Sequence, residues 1–210
     1  MLKKKHFRSS AAISSERKRS LYLFQRQLGV KWKNLQLLDH AFCHRSYANE
    51  NAYLPGNNER LEFLGDSVLG LVIAQYLYEY LPDLPEGELA RIKSFVVSEH
   101  SLSEMALKLG VDSFLLIGKG EENTGGRQKK AILADSMEAL IASLYLDSGM
   151  SAVRSLILRF LQPEIDKVLQ DRHRKDYKTL LQEAVQKELK TYPRYTIVDR
   201  SGPDHDRTFS

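Results

Sequence analysis

The sequence predicts a mainly α-helical protein, with an all-helical first domain followed by a smaller α-β-β unit. Three observations carry that expectation. Apolar residues recur at helical spacing from Ser20 to about Leu169. Proline and glycine are modest in number, and the stretches Leu81 to Pro85 and Gly118 to Gly126 read as punctuation between those stripes. After a polar break at residues 171–176 the pattern changes to one amphipathic helix and then short strand-like runs.

The elements follow in order. Residues 1–19 are rich in Lys, Arg and Ser, with little apolar periodicity, and read as a disordered basic tail. The helical domain is expected over residues 20–170. Leu21, Phe24 and Leu28 make its first stripe, and Leu35, Leu37, Leu38, Ala41 and Phe42 the next. Asn57 and Asn58 can cap a long helix running toward Tyr80. Leu81-Pro82-Asp83-Leu84-Pro85 ends it. Glu86 to Leu109 holds one or two further helices. The stretch from Gly118 to Gly126 lacks the Gly-Lys-Ser/Thr ending of a nucleotide-binding loop, so a flexible connector is expected there. Ile132, Leu133, Leu140, Ile141 and Leu144 mark a helix reaching Asp147-Ser148-Gly149, and another covers roughly Ser151 to Leu169.

Residues 171–176 read as a polar linker and 177–210 as the second unit. Tyr177 to Lys190 is an amphipathic helix with Leu180, Leu181, Ala184, Val185 and Leu189 inward. Tyr195 to Asp199 reads as a strand, Ser201 to His205 as a turn, and Arg207-Thr208-Phe209 begins a second strand.

Composition narrows the function classes. A 42% hydrophobic content suffices for a packed core. The single cysteine, Cys43, cannot form an intrachain disulfide, which fits a packing role in a reducing cytoplasm. No stretch is expected to reach the length of a membrane span, since Gly70 and Gln75 interrupt the most apolar run, so no membrane partner is expected. No hydrophobic segment follows the basic start, which argues against export. Residues 1–33 carry a net charge of +9, residues 34–170 carry −7, and residues 171–210 carry +2. An acidic body with basic ends suits a metal-using enzyme with a polyanionic substrate, and a basic tail that only confers solubility is the plainer alternative.

The chemistry concentrates in Asn58-Glu59-Arg60-Leu61-Glu62-Phe63-Leu64-Gly65-Asp66. Glu59 and Glu62 are three apart, and Glu62 and Asp66 four apart, so each pair shares a helix face. Like charges repel at those spacings, and a divalent cation removes the objection. Asp135 and Glu138 repeat the three-residue spacing downstream. If the two helices pack face to face, Glu62, Asp66, Asp135 and Glu138 converge on an oxygen-rich site suited to magnesium, with manganese as a substitute. A solvated helix face fits poorly, because Phe63, Leu64, Val68 and Leu69 surround the acids. Di-iron bundles use Glu-x-x-His pairs, whereas both pairs here are carboxylate-only.

These residues also carry a resemblance. NERLEFLGDSVL resembles the signature of the bacterial ribonuclease III family, and ILADSMEALIASLYLD resembles that family's second acidic helix. HRSYANE at His44 to Glu50 and PEGELAR at Pro85 to Arg91 are similar to its intervening segments. KTLLQEAVQK followed by YTIVDRSGPDHDRTF resembles a double-stranded-RNA-binding domain, which should continue with a third strand and a second helix, so that 177–210 is a partial domain. The resemblance implies a magnesium-dependent homodimeric endonuclease that cuts both strands of duplex RNA, leaving 5′-phosphates, 3′-hydroxyls and short 3′ overhangs. It further implies processing of ribosomal and other structured precursor RNAs. It supports Glu62, Asp66, Asp135 and Glu138 as the metal-binding catalytic set and adds Glu59 and Glu86 as secondary acids of the cleft. Phe63 becomes the aromatic that plugs into the partner subunit, with an ordinary core phenylalanine as the alternative. Thr179, Gln182, Glu183 and His205 become RNA-facing residues. A duplex-RNA-binding protein without catalysis and a metal-binding helical scaffold are the competing classes.

Overall fold

Ser14 starts the first helix before the apolar stripe announces it. Its side chain accepts a hydrogen bond from the Arg17 amide, capping α1 (Ser15–Leu28). The structure, a computed structural model, describes residues 13–51, 56–175, 185–193, 200–201 and 208–209. Residues 15–19, expected within a disordered tail, are therefore helical. Their Ser, Glu, Arg and Lys side chains conceal the helix because only one of its faces is apolar. Arg17 ties this end down through a 2.7 Å ion pair with Asp39 and lies over the Phe42 ring. Leu21, Phe24 and Leu28 are buried as the stripe requires.

Asn34 caps α2 (Leu35–Ala41) through a bond from the Gln36 amide, and α3 (Arg45–Glu50) follows. Phe24 meets Phe42 and Phe114 edge-on, with ring centroids 5.1 and 4.9 Å apart. Then comes α4 (Glu59–Tyr80), the expected long helix. Gly70 and Gln75 do not interrupt it, and an 18-residue window within its 22 residues, with a mean hydropathy of 1.2, matches a membrane span by length and composition. Here that apolarity has another use. Leu61, Val68, Leu69, Val72, Ile73 and Leu77 turn inward and pack the domain core.

Two helices, α5 (Glu86–Val96) and α6 (Glu99–Lys108), fill the next segment, and a 3-10 turn covers Val111–Phe114. The glycine-rich stretch is more ordered than a connector. Lys119–Asn123 form α7, and Gly126–Gln128 form a second 3-10 turn. Arg127 fastens it, donating to the carbonyls of Asp112 and Leu115 and to both carboxylate oxygens of Glu122. Gly118 is required by crowding, since a Cβ there would stand 2.5 Å from the Glu50 carboxylate and 2.7 Å from the Ser46 carbonyl.

The central element is α8 (Lys130–Ser148), ending at Gly149. It is apolar around most of its circumference, as a helix surrounded by others must be, and it packs against α4, α6 and α2. Trp32, itself buried, donates its indole N–H to Ser143 of α8 at 3.0 Å. The last long helix, α9 (Met150–Lys175), contains Pro163 and continues through 171–175, the stretch whose polarity reads as a linker. No glycine or proline stops it there.

The chain divides into two units, Met1–Ile165 and Asp166–Ser210. In the second, residues 185–189 are helical, and Leu189, expected inward, is exposed. The first expected strand lies outside the described residues. Arg200–Ser201 (β1) and Thr208–Phe209 (β2) pair antiparallel, with Arg200 opposite Phe209 and Ser201 opposite Thr208.

Candidate active site

Two helices bring the acidic residues together because their backbones nearly touch. An ideal Cβ placed on Gly65 of α4 would lie 1.8 Å from the carbonyl oxygen of Glu138 on α8. Only hydrogen fits there. Around this crossing Leu61 and Leu64 pack with Ala41, Ala139 and Ala142, whose small side chains permit the same close approach. Glu62 and Asp66 flank Gly65 on one helix, and Asp135 and Glu138 lie across from them on the other.

The four carboxylates differ in exposure. Glu62, Asp135 and Glu138 are half-buried and Asp66 is exposed. Burial, reinforced by Asp66, Asp135 and Glu62, raises the Glu138 pKa from 4.5 to about 7. Glu62 is also pushed upward, by burial and then by Asp135, Glu59 and Asp66, while Arg45 opposes the shift. Asp135 is raised by burial and then by Glu99 and Glu59, again against Arg45. These mutual shifts place the four in one electrostatic cluster.

Negative charge held at this density calls for a counter-cation, and the all-oxygen donor set suits a hard one. Among the described residues, no three Asp, Glu, His or Cys side chains stand close enough to hold an ion by themselves.

Glu59 opens α4, exposed, and pairs with Arg45 at 3.8 Å, and its charge reaches both Glu62 and Asp135. Glu86 opens α5, also exposed, and none of the described contacts joins it to the four. Phe63 is 78% exposed, so the core alternative fails. Leu71, Ala74 and Tyr78 share its side of the helix and are exposed as well. Thr179, Gln182, Glu183 and His205 lie outside the described residues.

The structure adds a supporting layer that spacing did not single out. Buried Asn58 donates its side-chain amide to the Ala41 carbonyl, and its backbone amide bonds Cys43, tying the start of α4 to α2. The helix-capping bond comes instead from Asn57, which accepts from the Glu59 amide. His44 caps α3, its Nδ1 lies 2.8 Å from the Ser46 hydroxyl, and burial lowers its pKa. Ser46 accepts from the Gly118 amide, and the Glu50 carboxylate accepts from the amides of Lys119 and Gly120. A polar Asn inside an apolar signature was the available signal for Asn58. Cys43 is buried beside this layer, and burial, with help from Asp39, raises its thiol to about 11.

Known proteins resemble this chain in sequence and in fold. The sequence model of the Ribonuclease-III-like family matches residues 34–165. A ribonuclease 3 of Treponema denticola is 54% identical over 203 residues, which span 97% of this chain and 82% of the relative. A ribonuclease 3 of Treponema pallidum is 46% identical over 204 residues, with 96% and 80% covered. Among solved structures, a nuclease domain of ribonuclease III from Campylobacter jejuni, described for structural flexibility in a region involved in dimer formation, superposes with a TM-score of 0.62. It is 36% identical and covers 67% of this chain and 94% of its own.

Proposed function

This chain belongs to the ribonuclease III family, and from that premise we propose that it is a magnesium-dependent endonuclease that hydrolyses both strands of duplex RNA as a homodimer. The observation that carries the reading is the Gly65–Glu138 crossing, where α4 and α8, each bearing a pair of carboxylates, approach more closely than any larger residue would allow.

Glu62, Asp66, Asp135 and Glu138 would hold the ion. When bound, magnesium supplies charge neutralisation at the phosphate and a water of raised acidity. The protein's own part is positional. The crossing of α4 and α8 fixes the four acids, and burial among the other carboxylates raises the Glu138 pKa to about 7, a rise that a bound cation would offset. Glu59 and Glu86 extend the negative surface from the starts of their helices. Attack of a water oxygen on phosphorus, with the P–O3′ bond breaking and the 3′-oxygen leaving to take up a proton, gives a 5′-phosphate and a 3′-hydroxyl.

One cluster cuts one strand, so a symmetric pair is needed to cut two. An exposed Phe63 beside Glu62, continued by Leu71, Ala74 and Tyr78, offers an apolar face for that pairing. On the resemblance of residues 177–210, Thr179, Gln182, Glu183 and His205 contact the minor groove, where duplex RNA is read by shape and 2′-hydroxyls. The natural work proposed is maturation of ribosomal and other structured precursor RNAs in the cytoplasm, without a membrane partner.

The test is cleavage of a labelled RNA duplex at low salt, with magnesium and with chelator, by the wild-type chain and Glu138→Ala. Magnesium-dependent cuts on both strands, offset to leave 3′ overhangs and absent in the variant, are expected. Duplex binding without cleavage by the wild type, or near-normal cleavage by the variant, would overturn the assignment.

A further inference from the structure

A catalytic floor made of carboxylates repels the substrate it must receive. A phosphodiester strand laid across Glu62, Asp66, Asp135 and Glu138 meets like charge, and a cation bound between them offsets only part of it. A fixed positive group at the rim would help. Arg45 is placed for this. It opens α3, its guanidinium stands 3.8 Å from Glu59 of the signature, and its charge acts on both Glu62 of α4 and Asp135 of α8.

The backbone around Arg45 is held on both sides. The His44 amide donates to the Leu116 carbonyl at 3.0 Å, and Ser46 receives the Gly118 amide at 2.9 Å. The Cys43 carbonyl accepts from the Asn58 amide at the head of α4. The side chain itself is 68% exposed, and its link to Glu59 is longer than a hydrogen bond. A rigid base therefore presents a solvent-facing guanidinium, only loosely engaged by an exposed carboxylate, beside the candidate catalytic cluster. A structural arginine looks different in this same protein. Arg127 is mostly covered and spends its donors on two backbone carbonyls and a carboxylate.

We propose that Arg45 is a substrate-binding residue, whose guanidinium exchanges its loose contact with Glu59 for a backbone phosphate of the strand lying over the carboxylate cluster. The planar fork suits phosphate oxygens, and Glu59 keeps it extended toward the cleft until the strand arrives. This inference rests on the duplex-RNA nuclease reading, and its test separates the two.

Wild type, Arg45→Ala and Arg45→Lys are compared as full chains on one labelled RNA duplex. Binding is followed by anisotropy in chelator across a salt series, and cleavage is followed in magnesium. For Arg45→Ala the slope of log affinity against log salt is expected to fall by about one for each Arg45 engaged. KM should rise roughly tenfold, with kcat within about twofold of wild type, since ground-state contacts act on KM. Arg45→Lys keeps the charge and should retain the slope while recovering only part of KM. Unchanged slope and KM in Arg45→Ala, with the wild type cleaving, overturns the inference and leaves the nuclease reading standing. A fall in kcat alone also overturns it, because Arg45 would then act through the carboxylates. Absence of cleavage by the wild type refutes the nuclease reading, while the salt slope still reports on Arg45.

Discussion

Gly65 faces the Glu138 carbonyl at a distance that leaves no room for a methyl group, the hypothetical Cβ standing 1.8 Å from the oxygen. Because the obstacle is backbone, no rotamer change relieves it. Gly65→Ala must push α4 and α8 apart, at a cost of at least about 1–3 kcal/mol. Cleavage should be lost even in a molecule that still folds, because Glu62 and Asp66 move with α4. Gly87→Ala, at a helical position with open space around it, should leave stability unchanged or raised by up to about 1 kcal/mol. Urea unfolding of the two variants makes the comparison, and equal stabilities would refute it.

The carboxylate cluster predicts how stability follows pH in the absence of metal. Glu138 has its folded pKa raised from 4.5 to about 7, so its contribution to stability is complete below 4.5 and is lost as pH rises through 7. Glu62 and Asp135 shift in the same direction. The thermal midpoint of the metal-free chain should fall across that window. Glu138→Gln should flatten the fall, and magnesium should reverse it while releasing protons. A wild-type midpoint that holds constant or climbs relative to Glu138→Gln over the same range contradicts the cluster.

Phe63→Ala separates assembly from folding. The side chain is 78% exposed, so its removal should change the unfolding free energy by no more than about 0.5 kcal/mol. In a dimer seated on this face an aromatic anchor is worth about 1–2 kcal/mol or more, so the dimer dissociation constant should rise tenfold or more. Sedimentation velocity across a concentration series gives the answer. An unchanged association constant removes Phe63 from the interface.

Arg127→Lys tests the fastening of the glycine-rich segment. Lysine keeps the charge but cannot reach two carbonyls and a carboxylate with one ammonium. The carbonyls of Asp112 and Leu115 lose their donor, and a loss of about 1–3 kcal/mol is expected by chemical denaturation. Wild-type stability would show the clamp to be incidental.

Most of the helical domain was legible because its helices are amphipathic and bounded by strong breakers. The stripes at Leu21, Phe24 and Leu28 and at Leu37, Leu38 and Ala41 are buried as periodicity demands. Pro82 and Pro85 end α4, and Gly149 ends α8, where chain chemistry places them. The acids were legible as spacing, but their meeting depends on Gly65, Ala139 and Ala142, small residues that carry no spacing signal of their own. The start of α1 is not legible in the sequence because its first turn is polar throughout and is held by a distant partner, Asp39. The glycine-rich segment reads as a loose connector for a related reason. Gly118 there serves close packing against Glu50 and Ser46, which local composition does not distinguish from looseness. Arg45 carries no signal of its own inside its motif, since a single exposed cation gains meaning only from what surrounds it in space.

The bond between Trp32 and Ser143 gives the molecule a built-in optical probe. Trp32 is the chain's single tryptophan, it is 2% exposed, and its indole N–H is spent on the helix that carries Asp135 and Glu138. Tryptophan emission therefore reports the seating of α8. A red shift marks that helix leaving its place, whatever happens beyond Ile165. Disturbances at the carboxylate crossing can be followed in the unlabelled protein by its own fluorescence.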